Sequence, residues 1–294
     1  MVADEAEAGA LWNIGKVLRW TTEYFATHGI DSPRLTAELL LSHCLDISRL
    51  DLYLRFDQPM NPEERAFYRE MIRRRIRREP VAHITGERSF WTLDLVAGPE
   101  ALIPRPDTET LVTEALSCLP LESPCRVLDL GTGTGCIALA LASERPLCQV
   151  VAVDLSLAAC RLALKNIERT GLGRRVFPIV GNWCTALRPG VLFDLVVSNP
   201  PYIPTAHVAA LAPEVRDYEP PLALDGGADG LEAYRRLALE VAGFLRPGGA
   251  FLLEIGYDQC VHVTDIFMES AAYDCFSCRK DFGGQDRVLG MRRR

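Results

Sequence analysis

From about residue 125 to residue 291 the chain alternates short apolar runs with stretches of helical periodicity, and this alternation restricts the fold more than any other feature. Residues 126–130, 149–154, 175–180, 193–198 and 249–255 read as strands. Helices are predicted over 135–142, 157–170 and 231–245. Runs that are apolar throughout must be covered on both faces, which suits buried parallel strands. A further helix near 261–271 and two closing strands near 273–279 and 287–291 bring the strand count to seven. Parallel strands joined through helices require right-handed crossovers. The expectation is an α/β fold with a doubly wound, mostly parallel seven-stranded sheet of Rossmann-like type.

The first 85 residues lack this alternation and read as a small helical domain. Leu11, Ile14, Val17 and Leu18 recur at helical spacing, as do Leu35, Leu39, Leu40 and Leu41 after the helix-start signal Asp31-Ser32-Pro33. Asn61-Pro62-Glu63-Glu64 starts another helix, with Pro62 tolerated in its first turn. That helix runs into Arg73-Arg74-Arg75-Ile76-Arg77-Arg78, read as a solvated face with favourable charge near a helix C-terminus. Residues 86–104 form a β-hairpin and linker, with Phe90–Val96 aromatic and β-branched and Pro99, Pro104 and Pro106 stopping regular structure. The α/β domain then occupies 105–294, its first helix led in by Asp107-Thr108-Glu109.

Charge and composition exclude some functions. The net charge of −7 argues against a nonspecific grip on nucleic acid. No apolar run is long enough for a membrane span, and the acidic Met1–Ala8 stretch is not a secretory signal. A cytoplasmic protein is expected. Its ten cysteines then read as reduced core thiols. The single Cys-x-x-Cys pair, Cys275 and Cys278, lacks a second pair at zinc spacing, so no metal is expected.

The chemistry concentrates at strand ends. Asn199-Pro200-Pro201-Tyr202 follows a buried strand, where open α/β sheets bind ligands. The two prolines stiffen the loop and contribute no N–H groups. Fixed carbonyls, the Asn199 side-chain oxygen and the Tyr202 ring suit a flat group bearing N–H donors: a primary amide or an exocyclic amine. Gly131-Thr132-Gly133-Thr134-Gly135 joins the first strand of the alternation to its helix, and glycines there let a ligand approach the backbone. Asp154 ends the next strand about 20 residues on, where a carboxylate accepts both hydroxyls of a ribose. Trp183 supplies a flat wall for a purine. With no phosphate-binding lysine in the loop, S-adenosylmethionine fits this set better than ATP or NAD.

Asp129-Leu130-Gly131-Thr132-Gly133-Thr134-Gly135, Asp154 and Asn199-Pro200-Pro201-Tyr202 resemble class I S-adenosylmethionine-dependent methyltransferases acting on planar nitrogens. Residues 80–86, Phe90-Trp91, residues 102–109 and residues 218–224 narrow the resemblance to bacterial release factor glutamine methyltransferases. The resemblance implies methyl transfer to the side-chain nitrogen, N5, of the glutamine in the Gly-Gly-Gln loop of class I peptide chain release factors. It implies cofactor contacts from Gly131, Thr132, Gly133, Thr134, Gly135, Asp154, Trp183 and Asn199, and glutamine contacts from Asn199, Pro200, Pro201 and Tyr202. Asn199, Pro200 and Tyr202 would carry catalysis. The family often has an acidic residue before the tryptophan, where this chain has Asn182. A monomer that does not bind nucleic acid is expected. The alternatives are a DNA adenine-N6 or rRNA guanine-N2 methyltransferase using the arginine run on phosphates, and a cofactor-binding module without turnover. Gly283-Gly284-Gln285 reads as the turn between the last two strands, and His207 as a helix-surface residue.

Overall fold

A computed structural model describes residues 12–294, so the readings made for Met1–Ala8 and Leu11 lie outside the described residues. The chain divides into two compact units, Met1–Thr85 and Gly86–Arg294.

The first unit contains α1 (Ile14–Thr27), α2 (Pro33–Leu45), α3 (Arg49–Leu54), α4 (Pro62–Ile76) and α5 (Val81–Thr85). Asn61 and Glu64 close a reciprocal capping box at the start of α4, each side chain accepting from the other's backbone N–H at 2.8 Å. Ser32 behaves differently: it sits in the left-handed region at φ 46° and makes no cap bond. Pro33, with φ already helical, therefore carries the start of α2. The core gathers Ile14, Leu18, Phe25, Leu40, Leu41 and Tyr68. Leu35, read on the same stripe, is exposed, because the buried face of α2 runs through Ala37, Leu40 and Leu41.

The arginine run is less solvated than its composition suggests. Arg75 is buried and donates to the Glu79 carbonyl at 3.1 Å. Arg74 pairs with Glu79 at 2.6 Å. Arg78 donates to the carbonyls of Gly29 and His28, just past α1. These arginines satisfy backbone carbonyls and one carboxylate within the helical unit.

The second unit opens with a hairpin, β1 (Glu87–Phe90) and β2 (Leu93–Val96), turning through Trp91 at φ 56°. Phe90 and Leu95 are buried in the same cluster as Leu111 and Val127, so the hairpin packs into this unit's core. After α6 (Thr108–Cys118) the order is β3 (Cys125–Leu130), α7 (Cys136–Glu144), β4 (Cys148–Asp154), α8 (Leu157–Arg169), β5 (Val176–Val180) and β6 (Phe193–Ser198). Short turns α9 (Thr205–Val208) and α10 (Pro213–Arg216) precede α11 (Glu232–Glu240), β7 (Leu245–Glu254), α12 (Cys260–Glu269), β8 (Tyr273–Lys280) and β9 (Asp286–Arg293). The predicted helix over 231–245 ends early. Residues 241–244 tighten into a 3₁₀ turn, and Leu245 already pairs with Phe193 as strand.

Among the described residues, seven strands form one sheet in the order β5-β4-β3-β6-β7-β9-β8. The first five run parallel and β9 pairs antiparallel to both neighbours. Successive side chains point to opposite faces, so Val127 joins one buried cluster and Leu128 the other. The strand order reverses direction at β3, whose neighbours are β4 and β6. That reversal opens a crevice at the C-terminal strand ends.

Candidate active site

Register alone brings the distant motifs into one row. Leu130 pairs with Ser198 and with Val153, and Asp154 pairs with Val180. The residues that follow these strand ends are therefore Gly131, Asn199, Leu155 and Gly181, side by side along one sheet edge. A cavity of 310 Å³ lies there, lined by Gly131, Thr132, Gly133, Thr134, Asp154, Trp183, Asn199 and Pro201 among others. Gly135, Pro200 and Tyr202 do not line it.

The glycine loop follows from backbone conformation. Gly131, Gly133 and Gly135 all have positive φ, at 75°, 56° and 82°. A side chain at Gly131 would be strained and would project between Trp183 and the Asn199 carbonyl, at 3.8 and 3.7 Å. Beneath the loop Asp129 is fully buried. One of its oxygens accepts from the Thr132 hydroxyl at 2.6 Å and the other has no partner among the described residues. Burial pushes this carboxyl up to about 7, against the Thr132 hydroxyl, which favours its ionised form. Asp154 accepts from the Gly133 and Ser156 N–H groups at 2.8 and 2.9 Å, one on each oxygen. Burial raises it, and those backbone donors oppose the rise. Each oxygen keeps a second lone pair for a ligand hydroxyl. Trp183 has φ 53° in the turn after β5, with Asn182 beside it on the cavity wall.

The Asn199 loop is braced by Leu224, at the end of the stretch 218–224, and by Gly226, Gly230 and Gln259, which sequence reasoning did not single out. Ile203 N–H donates to the Leu224 carbonyl at 3.1 Å, and Gly226 N–H returns to the Ile203 carbonyl at 2.8 Å. Gln259 Nε2 donates to the Tyr202 carbonyl at 3.0 Å. Added Cβ atoms at Gly226 and Gly230 would fall 2.8 Å from the Pro201 carbonyl oxygen and 2.4 Å from that of Tyr202, so both glycines are required by contact. The sequence signal was the cluster Asp225-Gly226-Gly227-Ala228-Asp229-Gly230. The Tyr202 hydroxyl lies 3.4 Å from Glu254 at the end of β7. Burial drives Glu254 up to about 7, although the hydroxyls of Thr108 and Tyr202 and the charge of Arg287 favour ionisation. Asn199 Nδ2 donates to the Thr108 hydroxyl at 3.3 Å. Asp107, expected as a helix cap, makes no cap bond; its carboxylate faces Arg287 at 3.4 Å.

Two other stretches singled out in the sequence meet here. Arg105 pairs with Glu219 at 2.5 Å, and the Ile103 N–H reaches the second oxygen of Glu219 at 3.4 Å. Both segments border the cavity, through Pro104, Arg105 and Pro220. His207 is exposed on α9, and Gly283-Gly284-Gln285 turns between β8 and β9. All ten cysteines carry free thiols, but they are not all core: Cys275 and Cys278 are exposed. Cys278 meets Cys260 and Asp286, with ligand atoms within 4.8 Å of one another, rather than Cys275, its partner in the Cys-x-x-Cys spacing. Asp286 in that group is already paired with Lys280 at 2.7 Å. Among the described residues no helix is long and apolar enough to cross a membrane.

A family model described as the PrmC N-terminal domain matches residues 16–86, and one described as a methyltransferase small domain matches residues 108–213. The chain is 47% identical over 286 residues to the release factor glutamine methyltransferase of Geobacter sulfurreducens, covering 97% of this chain and 99% of that protein. The same-named protein of Rhodospirillum rubrum is 44% identical over 292 residues, covering 99% of this chain and 88% of its own. Among solved structures, a methyltransferase from Pyrococcus furiosus superposes with a TM-score of 0.52 at 20% identity, covering 69% of this chain and 90% of its own. The hMettl16 catalytic domain in complex with MAT2A 3'UTR hairpin 6 does so with 0.55 at 17%, covering 68% and 74%. At those identities the two structures speak for the fold alone.

Proposed function

We infer the chemistry from one premise: the chain belongs to the release factor glutamine methyltransferase family. It is an S-adenosylmethionine-dependent enzyme that methylates a glutamine side chain of peptide chain release factors. The target is N5 of the glutamine in the Gly-Gly-Gln loop of class I factors. The observation that carries this reading is the placement of Asn199 on the wall of the same cavity as the glycine loop, Asp154 and Trp183.

The residues fit the cofactor. Gly131 leaves open the space a Cβ would fill, Asp154 has spare acceptor capacity, and Trp183 and Asn182 line the same cavity. S-adenosylmethionine, when bound, supplies an electrophilic methyl group on a positively charged sulfur. Everything else falls to this chain. An amide nitrogen is a poor nucleophile because its lone pair is delocalised into the carbonyl. Asn199 Oδ1 and the Pro200 carbonyl accept its two N–H bonds and orient it. Positioning of this kind can remove about 7–11 kcal/mol from a barrier. Tyr202 packs beside the amide and excludes water. A carboxylate in the same place would face two acceptors without a proton between them, so glutamate is rejected. As the nitrogen takes the methyl it gives up one proton to water, so no side chain need act as a nucleophile, and no metal is required. The helical unit docks the release factor, and the enzyme works in the cytoplasm as a monomer.

The test is transfer of labelled methyl from S-adenosylmethionine to a purified class I release factor, with its loop intact or changed to Gly-Gly-Ala, and with rRNA and DNA in parallel. Label on the intact factor alone is expected. Label on nucleic acid, or equal label on the Gly-Gly-Ala factor, would overturn the reading.

A further inference from the structure

Asn199 serves the amide in only one of two orientations. Turned by 180°, its side chain presents N–H donors where the substrate needs an acceptor. The structure contains a device that decides between them. Nδ2 donates to Thr108 Oγ1 at 3.3 Å, which leaves Oδ1 free to face the cavity. A threonine hydroxyl has a single proton. It is a settled acceptor for Asn199 only when that proton has another destination, and Thr108 is 2% exposed, so bulk water is not one.

Behind Thr108 lies Glu254, also 2% exposed. Its Oε1 is 3.4 Å from the Tyr202 hydroxyl, and its Oε2 has no hydrogen-bond partner among the described residues. Burial is the largest influence on this carboxyl, and the Thr108 hydroxyl is the largest one opposing it. Thr108 opens α6, which packs on β7, and Glu254 ends β7, so a buried acceptor without a donor and a buried hydroxyl that favours its ionised form belong to one packed layer. Tyr202 and Asn199, the two ends of the substrate loop, converge on the same carboxylate, one directly and one through Thr108. Ionised, Glu254 only accepts and sets the direction of every bond in the chain from its far end; protonated, the form that burial favours, it can also donate, and that direction is released.

We propose that Thr108, its proton drawn to Glu254, holds Asn199 with its oxygen toward the substrate and thereby makes the site select a primary amide over a carboxylate. Thr108 and Glu254 are positioning residues: they act through Asn199 and Tyr202. This rests on the reading of Asn199 as an acceptor for the glutamine amide.

The experiment measures KM for a release factor with Gly-Gly-Gln and the inhibition constant of the same factor carrying Gly-Gly-Glu. In the wild type the glutamate factor should bind at least about 100-fold more weakly, since a site built for N–H donors rejects an analogue lacking them. Thr108→Val keeps the shape but removes the hydroxyl. It should shrink that ratio at least tenfold and lower kcat, whereas Thr108→Ser restores both. Glu254→Met removes the acceptor at similar length, leaves the Thr108 proton to Asn199, and should shrink the ratio as Thr108→Val does. A wild-type ratio in a folded Thr108→Val or Glu254→Met enzyme overturns the proposal, as does Thr108→Ser behaving like Thr108→Val. If Thr108→Val fails to fold, Glu254→Met decides. Loss of methyl transfer to glutamine in the wild type would instead strike the underlying reading.

Discussion

Glu38 in the helical unit and Glu254 in the α/β unit are two carboxylates of nearly equal solvent exposure and opposite fate, the first shallow beneath half-exposed arginines and the second deep. Glu38 is met by Arg34 Nε at 2.7 Å, Arg49 Nη2 at 2.6 Å and the Tyr53 hydroxyl. Burial opposes its ionisation, but those three partners outweigh it and hold the carboxyl near 2. Glu254 has one distant hydroxyl, an oxygen without a partner and a value near 7. The helical unit spends its polar groups on closing itself, down to Arg78 on the carbonyls of Gly29 and His28. The α/β unit leaves Asp129, Asp154, Glu219 and Glu254 raised by burial, Asp154 on the cavity wall and the other three outside its lining. A carboxylate left short of partners at the end of a parallel sheet, as Glu254 is, points to a site; one met on both oxygens within the helical unit, as Glu38 is, points to structure.

The contrast can be broken by substitution. Asn199→Ala should cost the largest factor, about 10²–10³ in kcat, because it removes one of two oriented acceptors. Its thermal unfolding should match the wild type; near-normal turnover would show that the loop does not orient the amide. Asp154→Ala should weaken S-adenosylhomocysteine binding in calorimetry by about 10- to 100-fold, the range for hydrogen bonds to a charged group. Release factor binding should change little. Glu38→Gln should do the reverse: it should leave cofactor affinity intact and destabilise the helical unit by about 2 kcal/mol, less than a fully buried pair because both arginines are half exposed. A loss of cofactor affinity in that variant would erase the distinction between the two units.

Acidity should sharpen it with the smallest effects. Glu38 has a folded value of about 2 against an ordinary 4.5, so its stabilisation is present above 4.5 and disappears as pH falls through 2. The penalty of Glu38→Gln in chemical denaturation should shrink over that window. Glu254 is raised from 4.5 to about 7, so its contribution is complete below 4.5 and is lost as pH rises through 7. Wild-type stability should therefore decline relative to Glu254→Gln between pH 4.5 and 7. A parallel course for the two proteins would mean that Glu254 is not buried as described.

The sheet, its crossovers and the position of Gly131–Gly135, Asp154, Trp183 and Asn199 at strand ends were legible in the sequence. Apolar periodicity and glycine placement are local properties of the chain, and a parallel α/β sheet admits few topologies once they are set. The boundaries misread were those where tertiary pairing overrides local preference, as where Leu245 leaves a helical pattern to join Phe193. What only the tertiary structure decided is which distant groups meet: Glu254 behind Tyr202, Thr108 behind Asn199, Gly226 and Gly230 beneath the loop, Cys278 against Cys260. Spacing along the chain carries no record of contacts between residues as far apart as Thr108 and Asn199, or even as Cys260 and Cys278. Whether a buried carboxylate is neutralised, as Glu38 is, or left short of partners, as Glu254 is, depends on those contacts alone.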